Sequence, residues 1–507
     1  MQTPFADRLY TNYTPFHPEI EQIHRVIAGA LEDISHLDKK ITHFQAMIDE
    51  LYRERKVLSG FVDAHRALVS TIRRLPTELL RKIFAHCLDA DRTGGHVFKS
   101  QNFLLGHVCS SWRRIVMSTP ELWSSIRIFY SPGAYSPDAL LQLGKRVKWW
   151  LGLSGHCPLS ISFSCSPVEN TQEVDLAATS LFQILNPSSQ RWEVLNLRLP
   201  LSMFVRIFAT ITEADVPLLK SIRLSTGWVP VLNSGWQAAP TLRVPRLRSL
   251  SLYDFDISVL VADWNHLAHL DLEGGSWGEM STTTSKALEI LSSCTNLISC
   301  RMFNVLADDI THFPTVSLPC LQSLDIWALG SNLTEFFGAL KVPGLRSFKY
   351  FNRLDHPMPF KSILSQLHTP GIENIELPSV SLFTVAECLP LLPLLKRLSI
   401  YEDPALEPFL ELENPPILDP NILARLTPLP DSGECLCPCL EEIKFYNITN
   451  VTDDVLCTFL TARTSHPAVA RLKSAVFSFI RPAEHGITPE LEQLKLNGLS
   501  VSVTYGQ

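Results

Sequence analysis

One six-residue pattern, apolar-x-x-apolar-x-apolar, returns eleven times between Trp192 and the C-terminus, and it constrains this chain more than any other feature. Its copies begin at Trp192, Leu219, Leu247, Leu267, Leu297, Leu321, Leu345, Ile372, Leu395, Leu440 and Leu472, usually with a proline shortly before. Leu247-Arg248-Ser249-Leu250-Ser251-Leu252 and Leu321-Gln322-Ser323-Leu324-Asp325-Ile326 are representative. The later positions alternate apolar and polar, as a strand with one buried face does. Most copies stand roughly 20–30 residues apart, the period of units that bury their apolar face only by stacking on neighbours. Between copies the spacing is often helical, as in Ser285 to Leu291 and Leu333 to Leu340. A longer stretch from Glu402 to Cys439, rich in Pro and Glu, reads as a loop. An ordinary α/β domain with similar strands explains eleven copies of one pattern less well than an irregular stacked array.

A length of 507 residues exceeds one ordinary globular domain but suits an array that grows by adding units. With 46% hydrophobic and 19% charged residues the chain can bury a large core. A net charge of −7, without a dense basic run, gives no reason to expect nucleic acid as a partner. Met1-Gln2-Thr3-Pro4-Phe5-Ala6-Asp7-Arg8 lacks the basic start and apolar core of a signal peptide. No stretch approaches the eighteen apolar residues of a membrane span. Twelve dispersed cysteines then read as reduced, mostly buried thiols. The expectation is a soluble intracellular protein, cytoplasmic and/or nuclear.

Residues 1–18 carry Pro4, Pro15 and Pro18 and read as a flexible N-terminus. Over 19–70 a heptad runs without slipping. One column reads Ile20, Ile27, Ile34, Ile41, Ile48, Arg55, Val62, Val69; the other reads Ile23, Ala30, Leu37, Phe44, Leu51, Leu58, His65. Such a period marks a coiled-coil seam or a long helix packed on something. Val26, Leu31, Met47 and Phe61 widen the stripe beyond a narrow seam. Self-association through residues 20–69 and packing within the chain both remain open.

The next stretch opens Ile72-Arg73-Arg74-Leu75-Pro76-Thr77-Glu78-Leu79-Leu80-Arg81-Lys82-Ile83-Phe84. It resumes after Gly94-Gly95 as Val108-Cys109-Ser110-Ser111-Trp112-Arg113-Arg114-Ile115 and closes with Pro120-Glu121-Leu122-Trp123. Pro76 and Glu78 suit the first turn of a helix, and Leu79, Leu80, Ile83, Phe84 and Leu88 recur at helical spacing. Two or three short helices cannot bury all this apolar surface alone, so part of it is expected to meet a partner. The segment resembles an F-box, in its Leu-Pro-x-Glu-Leu-Leu-x-x-Ile-Phe form followed by Val-Cys-x-x-Trp-Arg and a Leu-Trp pair. Its gap from Ala90 to Leu104 is longer than in compact members. The resemblance implies docking onto a Skp-type adaptor of a cullin-RING ubiquitin ligase. Apolar anchors for that docking are Leu75, Pro76, Leu79, Ile83, Val108, Trp112, Leu122 and Trp123.

With the repeats, whose spacing lies in the leucine-rich-repeat range though the usual Asn after the strand is missing, the chain resembles F-box/leucine-rich-repeat proteins. The expected fold is an N-terminal α region, a long heptad helix plus F-box helices, followed by an α/β irregular leucine-rich-repeat solenoid. Its divisions are 1–18, 19–70, an F-box over 71–130, a linker helix over 131–157, and the solenoid over 158–507. By the resemblance, the repeats would present a ubiquitination target. If positions four and six of each unit point inward, positions three, five and seven face the opposite, concave side. Position seven includes Tyr253, Phe303, Trp327, Phe351, Tyr401 and Tyr446, aromatic anchors in a polar surround. Phe303, Trp327 and Phe351 are expected side by side with substantial exposure.

Other chemistry is sparse. Gly274-Gly275-Ser276-Trp277-Gly278 matches a nucleophile elbow but reads better as a repeat turn, without a His-Gly-Gly-Gly-type stretch. Cys435-x-Cys437-x-Cys439 lacks the second pair of a zinc site. No catalytic residue, metal or cofactor is assigned. The expected function is non-catalytic: a substrate-recognition subunit of an SCF-type ubiquitin ligase. The alternatives are a protein-binding scaffold without a ubiquitin role and, less favoured, a serine hydrolase using Ser276.

Overall fold

The structure is a computed structural model describing residues 3–89, 101–131, 137–165, 179–199, 203–204, 207, 211–226, 241–242, 244, 246–253, 261–262, 264–273, 281–308, 312–328, 333–352, 360–367, 371–378, 387–401, 421–448, 451–484 and 487–506. It divides into two compact units, residues 1–83 and 84–507. Among the described residues no helix is long and apolar enough to cross a membrane.

The first unit is dominated by α1 (His17–Leu68). Pro18 sits in its first turn, where the missing donor costs nothing, and Glu19 turns back to accept the Phe16 N–H at 2.9 Å. Residues 3–16, expected as a flexible lead-in, carry a 3-10 turn (Ala6–Arg8), and Arg8 and Tyr13 both bond Glu19. Those bonds, the Phe16 N–H first, hold the Glu19 carboxyl below its usual range. No residue of α1 is buried. A 3-10 turn over Thr71–Arg74 follows, then Leu75-Pro76 and the start of α2 (Thr77–Asp89).

The second unit takes up α2 and continues with α3 (Gln101–Val108), α4 (Ser110–Met117) and a 3-10 turn over Pro120–Trp123. The chain then enters a parallel sheet through β1 (Ser125–Tyr130), α5 (Pro137–Leu153) and β2 (Leu159–Cys165). Because β1 pairs with β2 in register Ser125↔Ser160, α5 is the crossover between the first two strands and not a linker. The sheet therefore begins at Ser125, well before the expected boundary at 158.

Each of the eleven repeated units carries one strand. They are β3 (Trp192–Arg198), β4 (Ser221–Ser225), β5 (Ser249–Tyr253), β6 (His269–Glu273), β7 (Ser299–Leu306), β8 (Ser323–Ala328), β9 (Ser347–Asn352), β10 (Asn374–Pro378), β11 (Arg397–Tyr401), β12 (Glu442–Ile448) and β13 (Ser474–Phe479). A last strand, β14 (Ser500–Tyr505), follows outside the pattern. All fourteen lie side by side in chain order and pair parallel. Helices fill several connections: α6 (Thr284–Ser293), α7 (Thr334–Gly338), α8 (Phe360–Leu367), α9 (Asn421–Leu426), α10 (Asp453–Ser465) and α11 (Thr488–Leu496). The α9 helix falls in the stretch expected as a loop. Its Ile422, Leu423 and Leu426 are buried, which a solvated loop would not allow. Residues 402–420 of that stretch lie outside the described residues, as does Gly274–Gly278 with Ser276.

Backbone chemistry explains the prolines. Pro217, Pro245, Pro319, Pro343, Pro393 and Pro438 each stand two residues before position one of a unit. There a β-turn closes: position one donates to the carbonyl three residues back, Leu321 to Leu318 at 3.2 Å, Leu345 to Val342 at 3.1 Å and Leu395 to Leu392 at 3.2 Å. Proline occupies the second turn position, whose φ it presets. Position two then offers one carbonyl to two N–H groups of the next unit: Gln322 accepts from Arg346 and Ser347, both at 2.9 Å. Positions four and six point inward, so Leu324, Ile326, Phe348, Tyr350, Leu398 and Ile400 are buried.

Two polar locks hold the C-terminal end. Arg463, fully buried on α10, donates to the carbonyls of Leu426 (2.7 Å), Cys437 (3.1 Å) and Leu436 (2.7 Å). The Cys435–Cys439 stretch is thus held through its backbone, with burial pushing the Cys437 thiol up to about 12. Asp453, also fully buried, accepts from Arg481 (2.6 Å), the Tyr505 hydroxyl (3.0 Å) and the Glu484 N–H (3.0 Å), tying β14 to α10.

The turns also stack closely: a Cβ on Gly344 would lie 2.9 Å from the Pro319 carbonyl oxygen and 3.3 Å from that of Leu321. Gly344→Ala should therefore destabilise the second unit by about 1–3 kcal/mol, read as an earlier urea unfolding midpoint. Gly29→Ala in α1, where a Cβ meets nothing, should not lower stability.

Candidate functional site

The segment from Leu75 to Trp123 sorts its apolar residues into two sets. In α2 the helical spacing places Leu80 inside, while Leu79 and Ile83 remain 46% and 43% exposed. Leu75 is half-buried and Pro76 exposed; the Pro76 carbonyl accepts the N–H groups of Leu79 and Leu80, both at 3.1 Å, and so starts the helix.

In the second unit, Cys109 is the N-cap of α4. Its backbone is extended and its sulfur accepts the Trp112 N–H at 3.5 Å, a local reason for the Cys-x-x-Trp spacing. The Arg113 guanidinium donates to the Gly106 carbonyl at 3.0 Å, fixing the α3–α4 corner. Trp112 stacks against the buried Phe84 ring, centroids 4.8 Å apart, and stays half-exposed. Val108 is 61% exposed, and Leu104, in α3 although it falls at the end of the Ala90–Leu104 gap in the F-box pattern, is exposed too.

Leu122 and Trp123 are placed differently from expectation. Both are buried and offer no surface to a partner. The Trp123 indole N–H donates to Val116 at 2.8 Å, its own carbonyl accepts from the Trp150 indole at 2.8 Å, and the two rings lie 4.7 Å apart. The Asn102 amide donates to the Leu122 carbonyl at 2.8 Å. The Leu-Trp pair is thus the joint between the short helices and the start of the sheet. Burial against α5 required a crossover that local spacing does not reveal.

Residues 72–128 match the F-box-like family model. The F-box-like domain accordingly covers α2 to α4, the Leu-Trp joint and most of β1. No curated protein matches the chain.

The sheet carries a second candidate surface, on the side of positions three, five and seven. Across β6 to β10, position five reads Asp271, Arg301, Asp325, Lys349 and Glu376 in a row set by register. Arg301 bridges Asp271 at 3.6 Å and Asp325 at 3.1 Å, and Lys349 reaches Glu376 at 3.6 Å. Burial pushes the Asp325 carboxyl up against the pull of Lys349 and Arg301. With the serines of position three, Ser249, Ser299, Ser323 and Ser347, this row floors a cavity of about 420 Å³.

Beside it run the aromatic residues of position seven. Phe303 and Trp327 stack at 4.7 Å, and Trp327 meets Phe351 at 4.8 Å. The three are side by side, but only Phe303 and Trp327 are half-exposed; Phe351 is 7% exposed, a correction to the expectation for that ring. Trp327 is fixed by its indole N–H on Asp325 at 2.8 Å and by Lys349 over its face. Tyr253 stands two strands away, its hydroxyl donating to Asp271 at 3.1 Å. Tyr446, exposed on β12, is three strands beyond Phe351 and does not join the row. The Tyr401 side chain lies outside the described residues. Among those residues no group of His, Cys, Asp or Glu is arranged to hold a metal ion.

These placements predict opposite outcomes for neighbouring apolar residues. Trp123→Ala should cost about 3–5 kcal/mol and lower the thermal midpoint. Leu79→Ser should change stability by less than about 0.5 kcal/mol.

Proposed function

We propose that this chain is the substrate-recognition subunit of an SCF-type, cullin-RING ubiquitin ligase. In this reading the F-box-like domain docks a Skp-type adaptor, and the sheet, a leucine-rich-repeat-type solenoid, holds a protein target. The chain itself does no chemistry; it raises the local concentration of the target beside the transferring subunits. The observation that carries the reading is the exposure of Leu79 and Ile83 in α2, and of Val108 beside half-exposed Trp112, inside a segment matching the F-box-like model. Folded segments of this size ordinarily cover such side chains, and apolar residues left open mark interaction sites. Leu75 and Pro76 belong to the same docking set. Leu122 and Trp123 act behind it, as support.

The target surface in this reading is the row of Phe303 and Trp327 with the cavity beside it. A half-exposed aromatic pair in a charged, serine-rich surround has the composition of a binding hot spot. The alternating ion pairs keep that surround nearly neutral, so specificity would come from shape and hydrogen bonding more than from net charge.

Leu79→Ser combined with Ile83→Ser should weaken capture of a purified Skp-type adaptor at least about tenfold while leaving the thermal midpoint within about 2 °C. Unchanged capture would remove the adaptor reading and leave a scaffold. Phe303→Ala with Trp327→Ala should leave adaptor capture intact and abolish recovery of ubiquitinated targets in the adaptor-bound complex. Undiminished recovery would exclude this face.

A further inference from the structure

The long helix α1 presents an apolar face that no residue of its own unit covers. Along 52 residues, about 78 Å at 1.5 Å per residue, none is buried. Ile27, Ile34, Ile41, Ile48, Leu37, Phe44, Leu51 and Leu58 are 47–66% exposed, and Val26, Leu31, Met47 and Phe61 flank them in the same state. Together they leave on the order of 1,000 Å² of apolar surface open on one helix, against about 800 Å² per partner in a stable interface. A single water-exposed helix gains nothing from keeping an unbroken heptad.

We infer that the occupant of this face is a second copy of the same chain, paired antiparallel. The argument for a second copy is continuity: the seam keeps one register from Ile20 to Val69, and two identical helices bury it over nearly its whole length. Orientation follows from the residues that interrupt it. Write the Ile20 column as a and the Ile23 column as d. In a parallel pair each a layer meets itself, so Arg55 would face Arg55 of the second copy and His65 would face His65. Asp33, at g, would also face Asp38, at e of the following heptad. Like charges would then oppose one another in the core and twice at its edge, with no opposite-charge pair in return. In an antiparallel pair a layers meet d layers. Centring the pair near Ala46 sets Arg55 against Leu37, His65 against Ile27, Ile41 against Leu51 and Ile48 against Phe44. The Arg55 stem can then lie along Leu37 with its head in water. At the edges Lys40 faces Glu54, twice by symmetry, and Met47 faces Met47.

Such a pair sets the ends of the two α1 helices that lead into the F-box-like domain far apart. Leu68 of one copy lies opposite His24 of the other, so the two Leu68 positions are about 66 Å apart along the axis. The assembly would carry two adaptor-docking segments, one at each end.

The test uses the full chain. Light scattering and sedimentation should give twice the 57.0 kDa chain mass at micromolar concentration. Ile34→Asp with Ile41→Asp should give the monomer, and Lys39→Asp with Ala46→Asp, on the opposite helix face, should leave the dimer. Lys40→Glu alone and Glu54→Lys alone should each raise the dimer dissociation constant about 3–10-fold, and the two together should restore it within about twofold. These charge exchanges stay outside the core layers and leave the helix able to form. A monomeric wild-type chain, a dimer surviving Ile34→Asp with Ile41→Asp, or a larger oligomer would overturn the proposal. So would single charge changes without effect, because in a parallel pair Lys40 and Glu54 face the neutral Gln45 and Ser59.

Discussion

Most of the sheet depends on one backbone device: a β-turn before the strand, followed by a carbonyl that accepts two N–H groups from the next unit. Gln322 does this for Arg346 and Ser347, and Arg346 does it for Glu373 and Asn374. The turn sets where each strand starts, and the double acceptor sets its register against the previous one. Once register is fixed, strand alternation does the rest. Leucine, isoleucine and phenylalanine of positions four and six go inward, and the remaining side chains line up as rows on the other face. The connections can vary in length and helix content because they do not set the pairing.

The same register turns unrelated single residues into ladders. Asp271, Arg301 and Asp325 belong to three units, yet they form a continuous charge row because the strands between them are in step. Asp325 is the central member: it is buried, it accepts from Arg301 and from the Trp327 indole, and Lys349 lies close by. Aromatic and charged rows are therefore one structure. The Trp327 ring is held in place by the row it stands beside, so a binding surface can be rigid without being on a loop.

The F-box-like domain reaches a comparable end by different means. Trp123 donates to the end of α4 and accepts from α5, and so joins the short helices to the sheet. Beyond that buried joint, three apolar side chains of the segment, Leu79 and Ile83 in α2 and Val108 at the end of α3, are left open. Cys109 contributes as a cap and not as a thiol. Its sulfur takes the N–H that Ser or Asp would accept more strongly at such a position.

By itself the amino-acid sequence determined most of the strands, though not β1 or β14, and the order of the chain. Eleven copies of one pattern each became a strand, since alternation and a preceding proline act within a few residues and need no distant partner. The F-box-like segment was legible for the same reason: Leu-Pro, Cys-x-x-Trp and Leu-Trp are local signals of helix start, cap and turn. Tertiary structure alone decided what those residues face. It buried Leu122, packed Trp123 against Trp150 of α5, covered Phe351 while leaving Phe303 and Trp327 half-open, and made α5 a crossover where a linker was expected. It also folded α9 within a Pro-rich stretch whose composition reads as a loop. Exposure depends on which segment arrives from far along the chain to cover a side chain, and periodicity carries no information about that. The heptad of α1 is the limiting case: its spacing specifies a seam, and only the folded unit leaves that seam uncovered.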